Sequence, residues 1–130
     1  MTKKIFILTL IGLISATSAY AKCEGGTEIT NTAGTTFCKS NVTMNWWASA
    51  AWCKANGLQL ATMYEMCPNW DGNTGSGKCP ELKGKGSDYA WSATASGSEY
   101  AFRVNLSNGL VQDIGHLRHD DGYGGSAFCR

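Results

Sequence analysis

Apolar residues along this chain follow three regimes: one continuous run near the start, a helical spacing in the middle and an alternation toward the end. The run covers 5–14, with Lys3 and Lys4 before it and Ala19-Tyr20-Ala21 after it. A short basic stretch, an apolar stretch and a small-x-small triplet form the pattern of an export signal cleaved after Ala21. Residues 1–21 are therefore expected to be a signal peptide and 22–130 a single exported domain. The run is too short to span a membrane. Lys22 precedes Cys23, where a lipid-attachment signal needs a small residue, so a lipid anchor is not expected.

In the middle of the chain, Trp46, Ala50 and Cys53 recur at i, i+4 and i+7, which predicts a helix within 43–56. Thr43 or Asn45 is placed to cap its start and Gly57 to end it. Thr62-Met63-Tyr64-Glu65 is a capping box for a second short helix, which Cys67-Pro68 stops. Residues 68–88, rich in Gly and Asn, read as a long loop. The period then becomes two. A strand is expected at 89–94, with a turn at Gly97-Ser98. Tyr100, Phe102, Val104 and Leu106 alternate with Ala101, Arg103 and Asn105, as in a half-buried strand. Asn108-Gly109 predicts a type I′ hairpin turn, which needs positive φ at both residues. A return strand is expected at 110–114, a polar connection at 115–125 and a last short strand at 126–129. A helical front and a stranded back make the class α+β. Trp46, Trp47, Trp52 and Trp91 take core-like positions. Because Trp46 and Trp47 are adjacent, one of them faces away from the helix's main stripe; it either packs at the sheet's edge, which is the expectation, or is exposed for binding.

Composition narrows the classes. Eleven basic residues against ten acidic give a net charge of +1, too balanced to point to nucleic acid or an anionic membrane. Five Trp, five Tyr and four Phe exclude a disordered chain. The six cysteines, Cys23, Cys38, Cys53, Cys67, Cys79 and Cys129, all follow the signal. An even set in a small exported domain reads as three disulfides, with fifteen connectivities open in principle. No Cys-x-x-Cys pair is present, which argues against cysteine-bound zinc, and an even set leaves no thiol over for catalysis.

Several of these residues resemble the C-type-lectin-like family. Trp46, then Trp52-Cys53, then Gly57-Leu58-Gln59-Leu60-Ala61 is similar to the first-helix signature of that fold. Trp91-Ser92-Ala93-Thr94, the alternating strand, Asn108-Gly109 and Phe128-Cys129-Arg130 resemble its bacterial secreted branch. The likeness covers about 36–130. It implies two short helices packed on a twisted antiparallel sheet, with a long loop and three disulfides. It also implies the pairs Cys53–Cys129, Cys23–Cys38 on an N-terminal hairpin, and the local Cys67–Cys79.

The resemblance further implies ligand binding at the segment before the last strand. Residues 113–126 gather His116, Arg118, His119, Asp120, Asp121 and Tyr123, and twelve of the fourteen residues are Asp, Gly, His, Arg, Tyr or Ser. Adenine changes in Asn codons yield most of these types, as in the lectin-like receptors whose binding loop is diversified by a retroelement. An ordinary polar loop is also rich in Gly and Asp. The expected function is recognition of a glycan or protein ligand at the cell surface, in the periplasm or outside the cell, without catalysis and without a cofactor. No nucleic-acid partner and no membrane span are expected. The alternatives are a small disulfide-rich structural or inhibitor protein of the envelope, or a metal-dependent enzyme using His116 and His119 with Asp120. The calcium-binding Glu/Gln-Pro-Asn/Asp and Trp-Asn-Asp motifs of vertebrate C-type lectins are absent. Asn69-Trp70-Asp71-Gly72-Asn73 offers oxygens that suit calcium, but Asp71 is its only acid. Trp70 and Asp71 remain outlying candidates for ligand contact.

Overall fold

Cys38 and Cys129 stand opposite one another on two antiparallel strands, and the rest of the sheet is built outward from that pair. The computed structural model describes residues 22–116 and 124–130. In chain order the elements are β1 (Gly26–Thr30), β2 (Thr36–Met44), α1 (Trp46–Ala55), α2 (Met63–Met66), a 3-10 turn (Pro80–Leu82), β3 (Tyr89–Ala95), β4 (Tyr100–Asn105), β5 (Val111–His116) and β6 (Gly125–Cys129). They make an α+β fold around one six-stranded sheet, ordered β1-β2-β6-β3-β4-β5. Among the described residues no helix is long and apolar enough to cross a membrane.

The sheet is mixed, not wholly antiparallel: β6 runs parallel to β3, with Ala90 opposite Ser126. The last strand enters between β2 and β3 in the direction that sets Cys129 beside Cys38 and under Cys53, and that direction is the one β3 already has. The front of the domain is not simply helical either. A hairpin, β1–β2, fills 26–44 before the first helix, as only the resemblance implied. Its alternation is broken because Phe37 and Cys38 are both buried and the pairing with β6 shifts between Lys39 and Thr43.

Local chemistry sets the helix ends. Strand β2 takes Thr43 and Met44, so Asn45 is the cap of α1, its side chain accepting from the Ala48 N–H at 2.7 Å. Gly57 ends α1 at φ 73°, and the Leu58 N–H returns to the Cys53 carbonyl at 2.9 Å. Thr62 and Glu65 close a reciprocal capping box on α2, at 2.9 and 3.1 Å. The β4–β5 connection is not a type I′ turn. No described residue other than glycine has positive φ, and Gly109 alone takes it, at 74°. Asn108 instead accepts the Leu110 N–H with its side chain, and the hairpin closes over a longer loop in which Gly109 N–H meets the Asn105 carbonyl at 2.8 Å.

Alternate residues feed two apolar clusters. Ala90, Val104, Leu106 and Phe128 join Phe37, Met66 and Trp70 in one. Trp91, Ala101, Ala127 and Cys129 join Cys53 and Leu60 in the other, against which Trp46 and Ala50 of α1 pack. Strand β6 is buried at all five positions because it serves both clusters. Trp91 is fully buried with its indole N–H on the Met44 carbonyl at 2.9 Å, and Trp46 donates to the Ser92 carbonyl at 2.8 Å. Trp47 does not pack at the sheet's edge. It is 60% exposed, because Trp46 already takes the inward stripe, and the two rings stand edge to face with centroids 4.9 Å apart.

The three disulfides are Cys23–Cys38, Cys53–Cys129 and Cys67–Cys79, the pairs that the resemblance implied. They tie the start of the domain to β2, α1 to β6, and α2 to the 3-10 turn. Bridges of this number belong to an oxidising compartment.

Candidate functional site

The segment singled out for ligand binding leaves the sheet from its edge and returns at its interior. Strand β5 is the edge strand, and its last residue, His116, lies opposite Tyr100 of β4. Arg118, His119, Asp120, Asp121 and Tyr123 lie outside the described residues. So does most of the histidine-based zinc constellation, of which only His116 has a described position. Asp113 is exposed on β5, whereas Gly124 is half-buried and Gly125 buried. A Cβ at Gly125 would meet Trp91 Nε1 at 3.0 Å and the Tyr89 carbonyl at 3.1 Å, so a larger residue at the chain's re-entry into the sheet would have to displace one of them by a few tenths of an ångström.

Beneath these two flanks lies a residue whose role the sequence does not announce. Period two places Arg103 on the polar side of a half-buried strand, yet it is only 5% exposed. Strand β4 has neighbours on both sides and is covered on both faces, so its polar side is interior. Arg103 Nη1 donates to the Gly124 carbonyl at 3.1 Å and Nη2 to Gln112 Oε1 at 3.2 Å. Its Cζ lies 4.0 Å from the centre of the Tyr89 ring and 5.7 Å from that of Trp91. Cationic planes over aromatic faces are attracted by the ring quadrupole, more strongly when desolvated. No periodicity in the sequence separates this arginine from an exposed one.

The outlying candidates fall in a different place. Trp70 is buried, with its indole N–H on the Asn73 carbonyl at 2.8 Å and its ring edge-on to Phe102 at 4.7 Å, so it is a core residue. Asp71 is exposed and fully engaged within its own turn. Oδ1 accepts the Asn73 N–H at 3.0 Å and Oδ2 meets Lys78 Nζ at 2.7 Å. The Lys78 hydrogen bond, followed by the Asn73 N–H, holds the Asp71 carboxyl below the usual carboxylate range. An ammonium therefore sits where calcium would have to bind. No group of three or more His, Cys, Asp or Glu side chains suited to a metal occurs among the described residues.

A second carboxyl group, this one buried, is not announced by the sequence. Glu81, on the 3-10 turn, is 6% exposed and accepts the Asn69 N–H at 3.2 Å, pinning the start of the disulfide-closed loop. Grooves of about 260, 320 and 480 Å³ open beside Leu58, Lys22 and Lys54, around the C-terminal end of α1. That is near Cys129, at the opposite end of β6 from Gly125, and none of the three takes in Arg103, Gln112 or Gly124. The chain matches no family model, no curated protein and no solved structure.

Proposed function

We propose that the chain is an exported, C-type-lectin-like domain that recognises a glycan or a protein through residues 113–126, without catalysis. The observation that carries this reading is the anchoring of that segment. Its approach, at Gln112, and its return, at Gly124, are both hydrogen-bonded to one buried guanidinium on a disulfide-tied sheet. Binding constellations need a rigid support under a variable surface, and sheets supply it better than loops do. The three cysteine pairs add support for the lectin-like fold, being one arrangement out of fifteen.

Within the segment, Arg118 pairs an anionic group of the ligand, Tyr123 supplies a flat amphipathic face, and Asp120, Asp121, His116 and His119 set the hydrogen-bonding pattern. The test is a glycan array probed with oxidised 22–130 and with an Asp120→Ala, Tyr123→Ala double variant of equal thermal stability. Binding to a defined glycan that the double variant loses supports the assignment. Undiminished binding by the variant removes it. If wild type binds no printed glycan, the glycan form of the reading is wrong, and a protein ligand is the form left standing.

A further inference from the structure

The two flanks of the proposed binding segment are separated by several residues of chain but joined through a single side chain. Arg103 Nη2 holds Gln112 Oε1 at 3.2 Å, one residue before the segment begins, and Nη1 holds the Gly124 carbonyl at 3.1 Å, near its end. The guanidinium lies 4.0 Å over Tyr89, which fixes its plane and hence the directions of its donors. Arg103 comes from the interior strand β4, so the joint is anchored in the sheet.

We propose that Arg103 is a positioning residue for the binding segment, clamping its two flanks at a fixed spacing and direction. This rests on the reading of 113–126 as the binding segment, although the contacts themselves do not. A guanidinium suits the task because its donors diverge in one rigid plane, which lets one side chain serve two chain segments. A lysine ammonium has no such fork. Hydrogen bonds from a charged donor are about twice as strong as neutral ones, and loss of the arginine leaves the Gly124 carbonyl short of a partner. Holding the flanks in advance also lowers the ordering cost that a ligand would otherwise meet.

Trypsin reads this without any ligand. Arg118 lies inside the segment, while Lys83 is exposed at the end of the 3-10 turn, outside the segment, and serves as the internal control. Oxidised 22–130 is digested at low trypsin, and cleavage after Arg118 and after Lys83 is followed by mass spectrometry. Two variants are compared with wild type. Arg103→Met keeps the apolar stem over Tyr89 and removes both donors. Gln112→Ala removes one arm only and leaves the arginine in place, so it decides the matter if Arg103→Met does not fold. Arg103→Met is expected to raise cleavage after Arg118 roughly tenfold, and Gln112→Ala by a smaller factor, with Lys83 unchanged. Wild-type rates after Arg118 in both variants would overturn the clamp. So would an equal rise at both sites, which would mark Arg103 as a stabiliser of the whole domain. If cleavage rises as expected but the Asp120→Ala, Tyr123→Ala variant binds its array glycan like wild type, the clamp stands and the assignment of the binding site fails. If that variant loses binding while cleavage is unmoved, the binding site stands and the clamp fails.

Discussion

At the scale of single residues, the 2.7 Å contact between Lys78 Nζ and Asp71 Oδ2 shows how a candidate ligand is reassigned by its neighbour. A carboxylate with a spare oxygen invites a cation. This one already has a cation, and the Asn73 N–H occupies its other oxygen. Both contacts favour the charged form, so the Asp71 carboxyl is held below its ordinary value. A depressed carboxyl contributes stability that is present above its unfolded pKa and lost as pH falls through the lower, folded one. Because Asp71 is exposed, the effect on the whole domain is small, and the titration itself is the quantity to measure. In Lys78→Met the Asp71 carboxyl should titrate at higher pH, in a carbon-detected NMR titration, and an unchanged midpoint would mean that the pair does not persist in solution. The same contact predicts that millimolar calcium leaves the Asp71 carboxyl resonance where it is in the NMR titration. A calcium-dependent shift of that resonance would show the ion displacing Lys78.

At the scale of elements, the sequence is legible where the signal is local and opaque where a distant partner decides. The Thr62–Glu65 capping box, the Trp46-Ala50-Cys53 stripe and the alternation through β4 are short-range patterns, and each yields its element within a few residues of the observed bounds. Strand β2 is opaque because its register against β6 shifts, whereas β6, expected at 126–129, is found at Gly125–Cys129 and only its parallel direction beside β3 is not legible. Trp47 and Arg103 are misread for the same reason in opposite senses. Trp47 lies on a helix face that the described residues leave open, and Arg103 on a strand face that they cover. The Asn108-Gly109 turn fails on a finer point: Asn108 uses its side chain locally, and the tight approach of Gly109 to another segment, not hairpin twist, is what requires glycine. A Cβ at Gly109 would lie 2.5 Å from the Cys79 carbonyl, whereas at Gly34, also at positive φ, it would meet nothing within 4 Å. Gly34→Ala should therefore cost about 1 kcal/mol of backbone strain. Gly109→Ala should cost clearly more, roughly 2–4 kcal/mol, because the carbonyl beside the Cys67–Cys79 bridge has to move. Urea denaturation of the two variants checks the ranking, and equal costs would mean that the loop over Cys79 gives way freely.

At the scale of the whole molecule, the side chains of the proposed binding segment are legible as a composition, whereas the frame that holds their flanks is not. Arg118, Asp120 and Tyr123 stand out in a sequence, but the arginine beneath the flanks reads like any polar strand residue. What makes that frame rigid is the column of cysteines across the sheet, in which Cys23 is bonded to Cys38, Cys38 faces Cys129, and Cys129 is bonded to Cys53. The three bridges close very different lengths of chain, with separations of 76 residues for Cys53–Cys129, 15 for Cys23–Cys38 and 12 for Cys67–Cys79. In the chain-entropy description, the stabilisation from closing a loop grows with the logarithm of its length. That gives about 4–5 kcal/mol for the long bridge and about 3 kcal/mol for each short one. Paired Cys→Ala variants, measured by urea denaturation, should follow that order, with Cys53→Ala/Cys129→Ala the most damaging. The long bridge also joins α1 to the strand that Gly124 leads into, so its loss should loosen the return of the proposed binding segment and raise cleavage after Arg118. Loss of Cys67–Cys79, across the other cluster, should leave that cleavage unchanged under native conditions. If instead all three paired variants lose similar stability and expose Arg118 alike, the bridges act as interchangeable staples, and the sheet alone holds the frame.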